Sequence, residues 1–81
     1  SPERLEALLD DQGMSCAICA QPLRVGTQQV HLDHDHNRGH IRAFLCSTCN
    51  VGIGMFHENP DTIREAALYL ERRRWYDEHQ R

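Results

Sequence analysis

Residues 41–51, "IRAFLCSTCNV", run from a strand into a cysteine pair and on into a helix with no spacer between them. Ile41-Arg42-Ala43-Phe44-Leu45 has the β-branched and aromatic content of a strand. Cys46-Ser47-Thr48-Cys49 is a C-x-x-C pair, and Asn50 and Val51 continue into a helix expected to end near Gly52 or Gly54. Upstream, residues 28–34 read as the partner strand, with Val30 and Leu32 on one face, and Asn37-Arg38-Gly39 signals the turn between the two. The expected centre of the fold is therefore a β-hairpin that hands directly over to a helix.

A second pair, Cys16-Ala17-Ile18-Cys19, forms a tight turn ahead of the hairpin, with Pro22 and Gly26 breaking the chain after it. A chain of 81 residues supports only a thin apolar core and usually needs a staple. Two C-x-x-C pairs bring four thiolates to one ion and complete a closed, structural, tetrahedral zinc site at Cys16, Cys19, Cys46 and Cys49. Two disulfides are the alternative. The start, SPERLEALLDDQ, is charged and lacks the apolar core of a secretory leader, and no run approaches the roughly 18 apolar residues of a membrane span. The expectation is a soluble, cytoplasmic chain, in which such pairs read as metal ligands. A thioredoxin-like redox role lacks the βαβ setting it requires.

Flanking helices complete a small α+β pattern. Residues 2–12 form an amphipathic helix, with Pro2 at its first turn, Leu5, Leu8 and Leu9 on one face, and Gly13 closing it. Asn59-Pro60-Asp61 caps a long helix reaching about Glu78. Ile63, Ala66, Ala67 and Leu70 make its inward stripe, which Arg73 and Arg74 interrupt, so the helix is expected to leave the core near residue 72. Leu68 and Trp75 share another face, suited either to a partner, including a homodimer through this C-terminal helix, or to covering the chain's own first helix or hairpin.

The formal charge of −3 argues against a general nucleic-acid coat and restricts any such contact to a local patch. All basic residues are arginine, suited to bidentate phosphate contacts. Against this background the run Leu32-Asp33-His34-Asp35-His36 stands out. A polar hairpin tip facing solvent is one reading. The other is a reactive site: Asp33 and Asn50 offer one charged and one neutral oxygen to Mg²⁺ or Mn²⁺, leaving room for waters and a substrate phosphate. His34 then stays off the metal as a general base on water. Strict alternation sends Asp33 and His34 to opposite faces, so the strand must bend or bulge there.

Taken together, C-x-x-C, LDHDH, G-x-I-R and LC-x-x-CN-x-x-x-G followed by a capped helix resemble the recombination endonuclease VII family of HNH (ββα-metal) nucleases. The resemblance covers about residues 14–70. It implies one HNH endonuclease domain over residues 1–81, a zinc-stapled, treble-clef-like ββα-metal finger that cuts DNA with a single divalent ion, leaving 5′-phosphate and 3′-hydroxyl ends. By the same resemblance Asp33 and Asn50 are the metal ligands, His34 is the base, His36 is a second imidazole near the scissile phosphate, and the cysteines hold zinc. The family's G-x-[IV]-R-G segment reads Gly39-His40-Ile41-Arg42-Ala43 here, alanine replacing the second glycine. A phage or prophage source in a bacterial host is also implied.

Other residues carry weaker signals. Asp35 reads as an exposed turn carboxylate, and His31 and His40 as stray surface histidines, as do His57 and His79. Arg38 and Arg42 stand beside the site as phosphate contacts, though Arg42 is equally placed to pair with a carboxylate across the hairpin. Arg72, Arg73 and Arg74, flanked by Trp75 and Tyr76, are either a DNA-backbone contact or a solvated helix face. The rival functions are a catalytically silent zinc module that binds nucleic acid or protein, and an interaction protein joining a larger assembly through Leu68 and Trp75.

Overall fold

The computed structural model describes residues 1–79, without the side chains of residues 75–77. It is a small α+β chain of three helices and one two-stranded sheet, in the order α1 (Pro2–Asp11), β1 (Val30–His34), β2 (Ile41–Cys46), α2 (Ser47–Met55) and α3 (Pro60–His79). The chain divides into two compact units, Ser1–Val51 and Gly52–Arg81.

In the first unit α1 begins where Ser1 Oγ accepts the Arg4 amide and Pro2 fills the first turn, a position with no partner for an N–H. The helix ends one residue before the expected boundary. Gly13 (φ +65°) turns the chain left-handed, and its amide donates to the Asp10 carbonyl at 2.8 Å. Leu9 is buried, while Leu5 and Leu8 are half-buried. Gln12 then acts as a clamp: its Nε2 donates to the carbonyls of Ser15 and Phe44, both at 2.9 Å, and its Oε1 accepts the Phe44 amide at 2.8 Å. One side-chain amide thus mimics a strand neighbour for β2 and ties it to the end of α1.

The first cysteine turn is closed by a bridge between Ser15 and Pro22 and by the Cys16 amide donating to the Gln21 carbonyl at 2.8 Å. Next to it β1 and β2 pair antiparallel, from Val30 opposite Cys46 to His34 opposite Ile41. Strand β1 starts two residues later than its composition suggests. Thr27 Oγ1 donates to the Arg24 carbonyl at 2.7 Å and accepts the Gln29 amide at 3.3 Å, so a local turn competes with the ladder. The core is thin, with Leu9, Leu23, Leu45, Cys16 and Cys46 its buried apolar members. Leu45 and Cys46 lie at the end of β2, so core and cysteine cluster adjoin.

In the second unit, the end of α2 passes its two glycines and stops at Met55, where His57 and Glu58 adopt left-handed backbone (φ +56° and +55°). The Glu58 amide donates to the Ile53 carbonyl at 2.8 Å, capping the last turn. Asn59 caps α3 as expected, its Oδ1 accepting the amides of Asp61 and Thr62 at 2.9 and 3.3 Å. The inward stripe is shorter than the sequence suggests. Ile63 and Ala66 are half-buried, but Leu70 is 64% exposed, since periodicity fixes which residues share a face and not what covers it. Trp75 and Tyr76, expected to contact a partner or flank the arginines, have side chains outside the described residues. No helix among the described residues is long and apolar enough to cross a membrane.

Candidate functional site

The four cysteine sulfurs lie within 4.8 Å of one another, and Cys19 Sγ is 3.8 Å from Cys46 Sγ. Four thiolates at about 2.3 Å from a tetrahedral zinc stand about 3.8 Å apart, so the cluster fits that ion. The local backbone already favours negative sulfur. Burial alone raises the Cys16 thiol, but hydrogen bonds from the backbones of Cys19, Cys46 and Ile18 outweigh it and bring the pKa down to about 6. Burial and then the thiols of Cys46, Cys19 and Cys16 push Cys49 up to about 12. Close-packed sulfurs divide the charge unevenly, with one thiol favoured as thiolate and its neighbour holding its proton. Four cysteines so placed suggest a structural zinc. It would join the turn after α1 to the junction of β2 and α2.

The ladder is irregular between Asp33 and His34, but the extra residue is not on β1, where a bend or bulge was expected to bring those two side chains together. Asp33 pairs with Ala43 and His34 with Ile41, so the extra residue is Arg42, on β2. Strict alternation would send Arg42 to the face opposite Asp33. Instead its Nε donates to Asp33 Oδ2 at 2.6 Å and its Nη2 to Asp33 Oδ1 at 3.1 Å. The pairing of Arg42 with a carboxylate across the hairpin is therefore the one the structure adopts. The Asp33 side chain is only 10% exposed and that of Arg42 37%. Both carboxylate oxygens are held in a fork geometry that fixes their direction.

Beyond the bulge, His34 and His36 are exposed, with ring centroids 4.9 Å apart. Asp35, between them, builds the turn. Its Oδ1 accepts the amides of Asn37 and Arg38 at 2.8 and 3.0 Å, while its own amide donates to the His40 carbonyl at 2.7 Å. Gly39 (φ +72°) completes the reversal. These bonds, the Arg38 amide first and the Asn37 amide second, hold the Asp35 carboxyl below the usual carboxylate range. A depressed folded value stabilises the fold above the unfolded pKa, and the effect is lost as pH falls through the folded value. Asp35→Asn is therefore expected to flatten the acid side of a plot of melting temperature against pH, below about pH 4. Asp35→Ala is expected to lower the melting temperature at neutral pH as well. Identical acid limbs in wild type and Asp35→Asn would remove the carboxylate from the turn's stability.

His31, read as a stray surface histidine, is half-buried and bonded. Its Nε2 lies 2.9 Å from Ser47 Oγ, and Ser47 Oγ donates to the Gln28 carbonyl at 3.0 Å. The hydroxyl has spent its only proton on that carbonyl, so His31 must donate through Nε2–H. His31 and Asp33 are two apart on β1, and Ser47 and Asn50 three apart on α2, so each pair shares a face of its element. The His31–Ser47 bond thus joins the strand face of Asp33 to the helix face of Asn50. Asn50 is half-buried and makes no hydrogen bond to Asp33. Alternation counted back from Asp33 was the sequence signal for His31. His40, His57 and His79 are exposed as expected. Arg38 is exposed at the turn, and Arg72, Arg73 and Arg74 are exposed on α3, where Arg72 Nη2 lies 3.9 Å from a Glu65 carboxylate oxygen.

Fold and site define a small α+β protein in which four clustered cysteines adjoin a histidine-tipped hairpin. The chain belongs to the recombination endonuclease VII family, whose model matches residues 1–72. It is 32% identical over 71 residues to the Gene 59 protein of Mycobacterium phage D29, a match covering 86% of this chain and 42% of that protein. The chain thus spans less than half the length of that phage relative.

Proposed function

We propose that the chain is a metal-dependent DNA endonuclease of the HNH (ββα-metal) type, with residues 1–81 acting as one cutting domain and a treble-clef-like finger at its centre. The observation that carries this reading is the hairpin tip. Two exposed imidazoles, His34 and His36, stand 4.9 Å apart directly after a nearly buried carboxylate, in a chain whose family is named for a nuclease.

His34 takes a proton from water, which attacks phosphorus in line with the departing 3′ oxygen and leaves a 5′-phosphate. Its exposure gives both water and a phosphodiester access to the ring. His36, beside it, positions the phosphate. Asp33 and Asn50 hold one Mg²⁺ or Mn²⁺. The donor set fits such an ion: hard oxygens, one charged and one neutral, few enough to leave positions for water and phosphate. Among the described residues the cysteines are the one group of three or more His, Cys, Asp or Glu ligands, so no closed cage competes for this ion. When bound, it supplies Lewis-acid stabilisation of charge on the phosphate and leaving oxygens. Zinc on Cys16, Cys19, Cys46 and Cys49 keeps the hairpin base against α2. Arg38 and Arg42 at the hairpin, and separately the Arg72-Arg73-Arg74 cluster on α3, contact the DNA backbone. The exposed Leu68 on α3 suits a homodimer contact that would set two such sites on one DNA.

The test is nicking of supercoiled plasmid and of a branched DNA by zinc-loaded protein, with Mg²⁺, with Mn²⁺ and with EDTA. Cleavage that requires the added metal is expected. A folded, zinc-loaded chain that cuts neither DNA with either metal would point instead to a silent zinc module.

A further inference from the structure

An open dish of about 440 Å³ lies ahead of β1, walled by Gln21, Pro22, Arg24, Thr27 and Gln29. None of these residues belongs to the cysteine cluster or to the hairpin tip. The volume falls within the roughly 300–1,000 Å³ of small-ligand sites. Backbone contacts fix the walls. The Cys16 amide donates to the Gln21 carbonyl and the Leu23 amide to the Met14 carbonyl, both at 2.8 Å, with Pro22 held between them. The Thr27 amide and hydroxyl both donate to the Arg24 carbonyl, at 3.3 and 2.7 Å, closing a tight turn around Gly26 (φ +85°). Ser47 Oγ holds the Gln28 carbonyl at 3.0 Å, next to Gln29.

The side chains on this frame are uncommitted. The Arg24 guanidinium and the amides of Gln21 and Gln29 are exposed and form no hydrogen bond or ion pair among the described residues. No carboxylate lines the dish among those residues, so a phosphate meets little repulsion there in a chain of net charge −3. A guanidinium suits a phosphate, and primary amides match the paired donors and acceptors of a base edge. Resting on the reading of the chain as a DNA endonuclease, we propose that the dish holds one nucleotide of the DNA flanking the cut, with Arg24 on its phosphate and Gln21 and Gln29 on its base. Strand β1 leads from the dish to the imidazoles: Gln29 precedes it and His34 ends it. The steps from residue 29 to residue 34, at about 3.3 Å each, span roughly 17 Å. A duplex rises 3.4 Å per base pair, so the contact falls about five base pairs from the phosphate at His34.

The rival is a solvated loop that meets no ligand. Fluorescence anisotropy of short duplexes with zinc-loaded protein, without added Mg²⁺ or Mn²⁺, separates the two without any cleavage. Arg24→Gln is expected to bind roughly tenfold more weakly at 0.1 M salt, and to shallow the slope of log K against log salt by about 0.9, as one lost phosphate contact does. The smallest duplex bound at full affinity should also be about five base pairs shorter for that variant. Arg24→Lys keeps the charge and should keep the slope. Gln21→Ala with Gln29→Ala should weaken binding at an unchanged slope, because neutral amides release no counterion. These side chains are exposed, so melting temperature and zinc content should match wild type in every variant. Equal affinity, slope and site size in wild type and folded Arg24→Gln overturn the proposal. The side-chain amide resonances of Gln21 and Gln29 identify the source of the nucleotide. Shifts on adding duplex support the strand contact, whereas shifts with deoxyadenosine monophosphate but not with duplex overturn it. Plasmid nicking is scored separately. If wild type never cuts but Arg24→Gln loses affinity and slope, the nuclease reading fails and the dish remains a DNA site. If wild type cuts and Arg24→Gln binds as wild type does, only the dish fails.

Discussion

His34→Ala is expected to lower the rate of metal-dependent DNA cleavage by about 10²–10⁴-fold, the usual contribution of a general base. The same variant should keep its zinc and its melting temperature. Both halves follow from where the residue sits. His34 is exposed at the end of β1, and the contact described for its ring is with His36, so its removal leaves the buried core and the cysteine cluster intact. His36→Ala should fall between wild type and His34→Ala, because a positioning imidazole loses orientation rather than the proton transfer itself. Single-turnover cleavage at saturating Mg²⁺, with zinc content and thermal melts run in parallel, checks this. Wild-type rates in His34→Ala would remove it from the mechanism, and a shift in melting temperature would show that the tip also supports the fold.

Cys46→Ser should unfold the protein. A structural zinc contributes about 10–16 kcal/mol in small zinc domains, against a net stability of about 5–15 kcal/mol for ordinary ones. Few other contacts can compensate here. Cys46 is buried at the end of β2, its sulfur is 3.8 Å from that of Cys19, and it accepts the Cys49 amide at 3.4 Å. Losing it removes a ligand, opens the thin core beside Leu45 and frees the start of α2. Far-UV circular dichroism with zinc stoichiometry reads the outcome, and a zinc chelator added to wild type should give the same spectrum. Acid should act in the same direction, since Cys49 must give up its proton to bind and zinc loading therefore weakens as pH falls. A Cys46→Ser protein that is zinc-free and folded would rule out the structural role.

Much of this was legible in residues that act locally or at fixed spacing. Two C-x-x-C pairs determine a four-sulfur cluster because a two-residue gap brings both thiols of a turn to one ion. Pro2, Gly13 and Asn59 mark helix ends because their backbone and side-chain chemistry acts within a few residues. Gly39 and Asp35 shape the hairpin turn for the same reason. The alternation argument pointed to an irregularity at Asp33 and His34 but to the wrong strand, since the extra residue is Arg42 on β2.

The tertiary structure alone decided which strand takes the extra residue. Placing it at Arg42 on β2 gave Asp33 its partner and left His34 facing His36. It also decided that Gln12 would clamp Phe44, that His31 would reach Ser47, and that Leu70 would be exposed. Each of these depends on register or on a contact between segments far apart in the chain. Pairing of distant segments is set by the packing of the whole unit, and a local pattern is compatible with several such pairings.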